Sequence, residues 1–357
     1  MTLLEQLKIS NFRGFDNLEI DGLSKINLFV GKNNSGKTSI LEAIFLLIGM
    51  NNGQLLNTIT QQRELRNSKQ EEFKTLTGKE ILYLFHNLDS NNTPRFYTKL
   101  SNGTERWLNF KPSFYTNTSI YGNASDYIYK PELNDVGYEC FIKIKADTKK
   151  YFFPVSSNGY INLRPEYSNN LLATFISSNK YNTYTFNKLS EITKRKGESN
   201  ILETLQQFDN NITALRILND GIYFDIKGIK QLVPISIMGD GLRAFLDIIT
   251  AAFSDKQNSV VCIDEIENGL HYSAYKLLWK SLLVYTHQND VQLFISTHNI
   301  ETLACLKSVL EEKDFENMQD LAKVFTVAKT SKAGYQTYRY SFEGFKNAIE
   351  HETEIRS

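Results

Sequence analysis

The stretch Ile26-Asn27-Leu28-Phe29-Val30-Gly31-Lys32-Asn33-Asn34-Ser35-Gly36-Lys37-Thr38-Ser39, followed by the apolar run Ile40 to Ile48, decides how the rest of the chain is read. Ile26–Val30 has the short apolar character of a buried strand, and Thr38–Ile48 that of a buried helix. Between them, residues 31–38 match the pattern GxxxxGK[ST] in full, with the strand before and the helix after that the pattern requires. Glycines let successive backbone N–H groups curl round phosphate oxygens, and the helix N-terminus adds a favourable dipole. Lys37 supplies a point charge for the β- and γ-phosphates and Thr38 a hydroxyl for Mg²⁺. Asn33, Asn34, Ser35, Gly36 and Ser39 complete the expected cradle. The loop is read as an ATP site.

Downstream, the apolar strand Ser259–Ile263 ends in Asp264-Glu265. A strand ending in two acids places them at the carboxyl edge of a sheet, where ligands bind in open α/β folds. Asp264 is expected to hold Mg²⁺ through water, and Glu265 to orient or deprotonate the attacking water. A third apolar strand, Gln292–Ser296, leads into Thr297-His298. A histidine at that point can hydrogen-bond the γ-phosphate and report its presence.

The remaining chain divides by composition. Leu4–Ser10, Leu18–Ile20 and Ile26–Val30 read as strands, with a turn at Phe12-Arg13-Gly14-Phe15. From 51 to 229 Asn, Ser, Thr and Tyr become frequent, and strand-like runs (Arg95–Leu100, Tyr138–Ala146, Lys150–Pro154) alternate with turns at Asn102-Gly103 and Asn158-Gly159. A helical region is predicted over 165–213, broken near Lys194–Glu198, then a small meander over Ile217–Val233. Strand–helix alternation returns afterwards: helices over Gly241–Phe253, Ser273–Thr286 and Ile300–Leu310, and closing strands over Lys323–Val327 and Thr337–Phe342. The fold class is α/β: a P-loop sheet flanked by helices, with an inserted α+β lobe. The expected division is an ATPase domain in two halves, 1–50 and 230–345, the inserted lobe 51–229, and an acidic tail, 346–357.

Composition narrows the function classes. Lys plus Arg equals Asp plus Glu at 40 each in 357 residues, which argues against a surface coated in basic charge for DNA. Cys140, Cys262 and Cys305 are odd in number and far apart, as reduced core thiols would be. The longest apolar stretch falls far short of the roughly 20 residues a membrane span needs, and no secretion signal is visible, so a cytoplasmic protein that meets no membrane is expected.

The order of glycine loop, long insert, Gly239-Asp240-Gly241 opening a helix, Asp264-Glu265 and Ser296-Thr297-His298 resembles that of ABC-type ATPases. Within them the chain looks most like the RecF and OLD-type branch. The marks are Ile9-Ser-Asn-Phe12-Arg13-Gly14-Phe15, the Gly-Lys-Asn-Asn-Ser-Gly-Lys loop, and Asp264-Glu-Ile-Glu267-Asn-Gly-Leu-His271. The resemblance implies a homodimer or higher homo-oligomer in which the signature segment of one subunit, Gly239, Asp240 and Gly241, caps the ATP held by the other. It places Arg13 near the nucleotide and Glu267 to His271 along the seam. The family usually has a serine where Met238 stands, which bears on the rate of hydrolysis; Ser236 is nearby. His86 stands about where the family's glutamine is looked for, and reads equally as a surface histidine.

OLD proteins continue into a Toprim nuclease domain, whereas here Glu343, Glu350, Glu352 and Glu354 read as a solvated acidic tail. The expected function is therefore a stand-alone ATPase that senses or gates and controls a separate effector, a nuclease or toxin. Such an arrangement resembles the Septu-, PARIS- and retron-type systems of bacterial anti-phage defence. The alternatives are a RecF-like DNA repair or recombination ATPase, and an ATP-stabilised scaffold that barely hydrolyses. Arg63, Arg66 and Lys69, or Lys194-Arg195-Lys196, suit either DNA contact or a solvated face.

Overall fold

In the computed structural model the residues described are 3–50, 55, 58–59, 82–112, 136–144, 147–154, 171–177, 183–253, 258–332 and 334–351. Asn158-Gly159, Arg63, Arg66, Lys69, Glu352 and Glu354 lie outside them.

β3 (Ile26–Val30), buried along its whole length, lies inside a six-stranded sheet. Its neighbours are β13 (Val291–Thr297) and β14 (Ala322–Thr330), both parallel to it. β12 (Ser259–Ile263) and β8 (Leu172–Ile176) continue the parallel set beyond β13, and β15 (Gly334–Tyr340) closes the other edge antiparallel to β14. Strands of such a sheet are covered on both faces, which is why β3, β12 and β13 are apolar along most of their length rather than alternating. Ile26, Leu28 and Val30 point into one core and Phe29 into the other.

On the Phe29 side lies α1 (Lys37–Ile48), sandwiched between this sheet and a second, antiparallel one. The second sheet has the order β2-β1-β4-β5-β6-β7, from β1 (Leu4–Phe12), β2 (Phe15–Asp21), β4 (Arg95–Leu100), β5 (Thr104–Pro112), β6 (Val136–Ile144) and β7 (Asp147–Pro154). A helix covered by two sheets must be apolar nearly all round, and every residue from Ile40 to Ile48 is buried. On the other side the sheet packs against α2 (Thr183–Lys194), α3 (Ser199–Phe208), α4 (Asp240–Ala252), α5 (Tyr275–Gln288) and α6 (Ile300–Leu310). A three-stranded meander, β9 (Ile212–Leu218), β10 (Gly221–Ile226) and β11 (Val233–Pro234), adjoins α3 and leads into α4. α7 (Phe342–Glu350) ends the described chain, buries Phe345 and Ala348, and is pinned to α6 through Lys307–Glu350 (2.6 Å).

The helical reading of 165–213 is corrected at its start: Leu172–Ile176 is strand β8, in parallel register with β12 from Ser259↔Leu172 to Ile263↔Ile176. A five-residue apolar run fits a strand or a helix equally by pattern, and here pairing with β12 decides. The interval 51–229 thus contributes strands to both large sheets. The break between α2 and α3 falls where expected, with Lys196 in the left-handed region at φ 60°.

No helix among the described residues is long and apolar enough to cross a membrane.

Candidate functional site

β3, β12 and β13 are neighbours in one parallel sheet, so their carboxyl ends open onto one edge, and the three sequence motifs meet there. The glycine loop is held from beneath. Gly36 has φ 94°, and a Cβ on it would lie 2.6 Å from Phe15 Cζ; a Cβ on Gly31 would lie 2.5 Å from the Val327 carbonyl. Only glycine fits such close approaches. Phe15 is itself fixed edge-on against Tyr335, at 4.8 Å between ring centroids.

Lys37 Nζ donates to the carbonyls of Gly31 (2.7 Å) and Lys32 (2.8 Å), folding over its own loop. Burial lowers its pKa from the ordinary lysine value, opposed by the carboxylates of Asp264, Glu265 and Glu267. Ser35 Oγ is buried with no hydrogen-bond partner. Asn33 and Asn34 are exposed, and Ser39 is half-buried. A buried ammonium resting on carbonyls, an orphaned hydroxyl and an open loop of N–H groups suit the oxygens of a phosphate chain.

Thr38 Oγ1 donates to Asp264 Oδ1 at 3.0 Å. The same carboxylate oxygen accepts from Ser296 Oγ at 2.5 Å, and Ser296 Oγ in turn accepts from the Glu265 N–H at 2.8 Å. The Asp264 N–H donates to the Ile176 carbonyl (2.9 Å), so β8 supports the acid-bearing turn from its other side. One hydroxyl and one carboxylate side by side match the few protein ligands Mg²⁺ takes when phosphates supply the rest. Glu265 itself sits at φ 53°, in the left-handed region that is costly for a non-glycine residue and typical of functional turns.

His298 follows β13 with a half-exposed ring. Its Nδ1 lies 3.1 Å from Glu267 Oε1 and 3.8 Å from Glu265 Oε1. Asn299 then caps α6, its side chain accepting from Glu301 N and Thr302 N. The Lys37, Thr38, Asp264, Glu265 and His298 of the sequence motifs are therefore gathered at one edge.

Arg13 is engaged within the chain by the helix that follows the phosphate loop. It is held by the buried Glu42 of α1 at 2.8 Å and has φ 50°, with its N–H on the Leu84 carbonyl. His86 Nδ1 donates to the Arg13 carbonyl at 2.8 Å, so it holds the Arg13 turn. Gly239 forms the exposed N-cap of α4, and Asp240 pairs with Arg243. A Cβ on Gly241 would lie 3.4 Å from the Gly269 carbonyl, so this helix start packs on the loop after Glu265. Met238 packs on the core below, and Ser236 is exposed. Of the segment 267–271, Glu267 is buried within its own chain, while His271 faces outward beside the exposed Tyr272. The motif spacing did not reveal the bonding roles of Ser296 and Glu267, because neither acid nor serine carries a pattern of its own there.

Comparison with known proteins gives a family and a fold. An "ATP/GTP phosphatase" of Helicobacter pylori is 28% identical over 347 residues, spanning 89% of this chain and 91% of that protein. The DNA replication and repair protein RecF of Lysinibacillus sphaericus is 43% identical over 44 residues, 12% of each chain. Among solved structures, the SmcHead bound to the C-winged helix domain of ScpA shares the fold at a TM-score of 0.51 and 13% identity, over 97% of this chain and 99% of that one. Residues 26–304, well over half of the chain, match the family model described as "AAA domain, putative AbiEii toxin, Type IV TA system", and the chain belongs to that AAA domain family.

Proposed function

We propose that this chain binds ATP with Mg²⁺ and hydrolyses it, that copies associate as a homodimer or larger homo-oligomer through shared ATP sites, and that the assembly gates a separate effector, a nuclease or toxin, in bacterial anti-phage defence. The observation that carries the reading is the meeting of Lys37, Thr38, Asp264, Glu265 and His298 at one sheet edge.

In this reading Lys37 leaves the Gly31 and Lys32 carbonyls for the β- and γ-phosphates, and Ser35, Asn33, Asn34, Gly36 and Ser39 line the remaining oxygens. Thr38 and Asp264 hold Mg²⁺, which when bound neutralises phosphate charge. Glu265 orients the attacking water, and His298 senses the γ-phosphate. Gly239, Asp240 and Gly241 cap the nucleotide of a partner copy, their helix N-terminus directed at phosphate. Arg13 joins the nucleotide after release from Glu42.

The ATPase domain is assigned to 1–50 and 230–345 with Leu172–Ile176 as its added strand and 51–229 otherwise the insert; of the expected solvated tail 346–357, residues 346–350 instead belong to α7, with Ala348 buried and Glu350 paired to Lys307. The protein is read as cytoplasmic. The gated-effector reading draws support from the family description, which names a toxin and a toxin–antitoxin system. The RecF-like repair reading, with DNA as partner, draws on the 44-residue match to RecF.

The test is a pull-down of Glu265→Gln with Mg·ATP from native cells. We expect ATP retained, turnover slowed at least about 100-fold, as loss of a general base and water-orienting group costs, and a stoichiometric nuclease or toxin subunit. DNA with repair proteins and no such subunit would replace the defence reading by the RecF-like one. Unchanged turnover would assign the water to another residue.

A further inference from the structure

Glu267 has a place that its sequence motif does not explain. Its side chain is 8% exposed beside a His298 ring that is 45% exposed. One oxygen, Oε1, accepts the His298 backbone N–H at 3.1 Å and faces Nδ1 of the same residue at 3.1 Å. The other, Oε2, is buried with no hydrogen-bond partner. A buried carboxylate with half its capacity unused is costly, and packing alone would favour an apolar residue there. One oxygen that accepts the backbone N–H and lies 3.1 Å from the ring nitrogen of the same residue fixes where that residue stands and faces its ring.

We infer that Glu267 is the positioning residue of His298, and that it keeps His298 away from Glu265. This rests on the reading of His298 as phosphate sensor and Glu265 as water-orienting group. A carboxylate oxygen is an acceptor, so its place beside Nδ1 suits the Nδ1–H form of the ring, with Nε2 on the opposite edge. Glu265 Oε1 lies 3.8 Å from the same Nδ1 and competes for it. Glu267 holds the closer position at 3.1 Å. Without it, Nδ1 turns to Glu265, and one bond withdraws both the sensor and the carboxylate that must face water.

The local chain is folded to hold this arrangement. Ile266 N–H donates to the Ser296 carbonyl (3.2 Å), Asn268 N–H to Glu265 (2.9 Å) and Leu270 N–H to Glu267 (3.1 Å). These turns lock the Glu267 backbone beside the end of β13, with Gly269 at φ 75° completing the bend.

The experiment is a double-mutant cycle on the full chain, reading ATP turnover and, separately, affinity for a non-hydrolysable ATP analogue. Glu267→Leu should lower kcat at least tenfold while analogue affinity stays within about threefold. Glu267→Gln, whose carbonyl still accepts both bonds, should recover most of that loss. In a His298→Ala background Glu267→Leu should cost less than about twofold more, because the residue it positions is gone. Additive losses in the cycle would overturn the inference and leave the ATPase reading intact. A His298→Ala variant with parental turnover would instead remove the sensor role on which the inference rests. If Glu267→Leu does not fold, Glu267→Ala closes the same cycle with the same criterion.

Discussion

Thr38 Oγ1 and Asp264 Oδ1 are 3.0 Å apart although 226 residues separate them in sequence. The hydroxyl comes from the first turn of α1 and the carboxylate from the end of β12. They meet because β3 and β12 both flank β13 in parallel register, so their carboxyl ends reach the same edge. Everything proposed for the site depends on this convergence.

Lys37→Ala should abolish ATP binding. Its ammonium is buried, supported by two carbonyls and faced by three carboxylates. Loss of a charge-assisted phosphate contact in a desolvated site lowers affinity by about 100-fold or more. Calorimetric titration with Mg·ATP measures it; affinity within threefold of the parent would remove the phosphate assignment.

Ser296→Ala should slow turnover about tenfold and destabilise the fold by about 1–3 kcal/mol, the usual cost of leaving a buried polar group unpaired. Ser296 is fully buried, donates to Asp264 and accepts the N–H of Glu265, whose left-handed backbone depends on that bond. Steady-state turnover with denaturant unfolding checks both. Parental values in the two assays would show that the turn holds Glu265 by other means.

Asp247→Asn should make the protein more stable at pH 7.5 and leave it unchanged near pH 4. Burial on α4 pushes the Asp247 carboxyl up to about 6 from 3.8, against the opposing hydrogen bond of Thr185 (2.5 Å) and the charge of Arg243. The folded chain therefore keeps its proton between these values while the unfolded chain releases it. Stability falls as pH rises through that window, and the penalty is complete above about 6. With solvent screening allowed for, it is on the order of 2 kcal/mol. Thermal melts of both proteins from pH 4 to 8 test this; parallel curves would place the titration elsewhere.

Local chemistry is legible in the linear chain where one segment carries all of it. The loop Gly31–Thr38 needs its glycines, lysine and hydroxyl in fixed order, because consecutive N–H groups must wrap one phosphate chain. The apolar runs at 26–30, 259–263 and 292–296 report burial on both faces, which marks a parallel sheet. These features set the α/β class and mark the sheet edge proposed to take the nucleotide.

What crosses the sequence was decided by tertiary structure alone. Leu172–Ile176 is too short for its periodicity to separate strand from helix, and only pairing with β12 settled it. Arg13 is turned to Glu42, and His86 to the Arg13 carbonyl, by packing between α1 and the antiparallel sheet. Ser296 and Glu267 stand within recognised motifs, but their bonding roles are not written there, since a hydroxyl or carboxylate acquires its role only from the partner brought within about 3 Å. Residue type and order set which chemistry is available; long-range pairing of strands sets which groups share it.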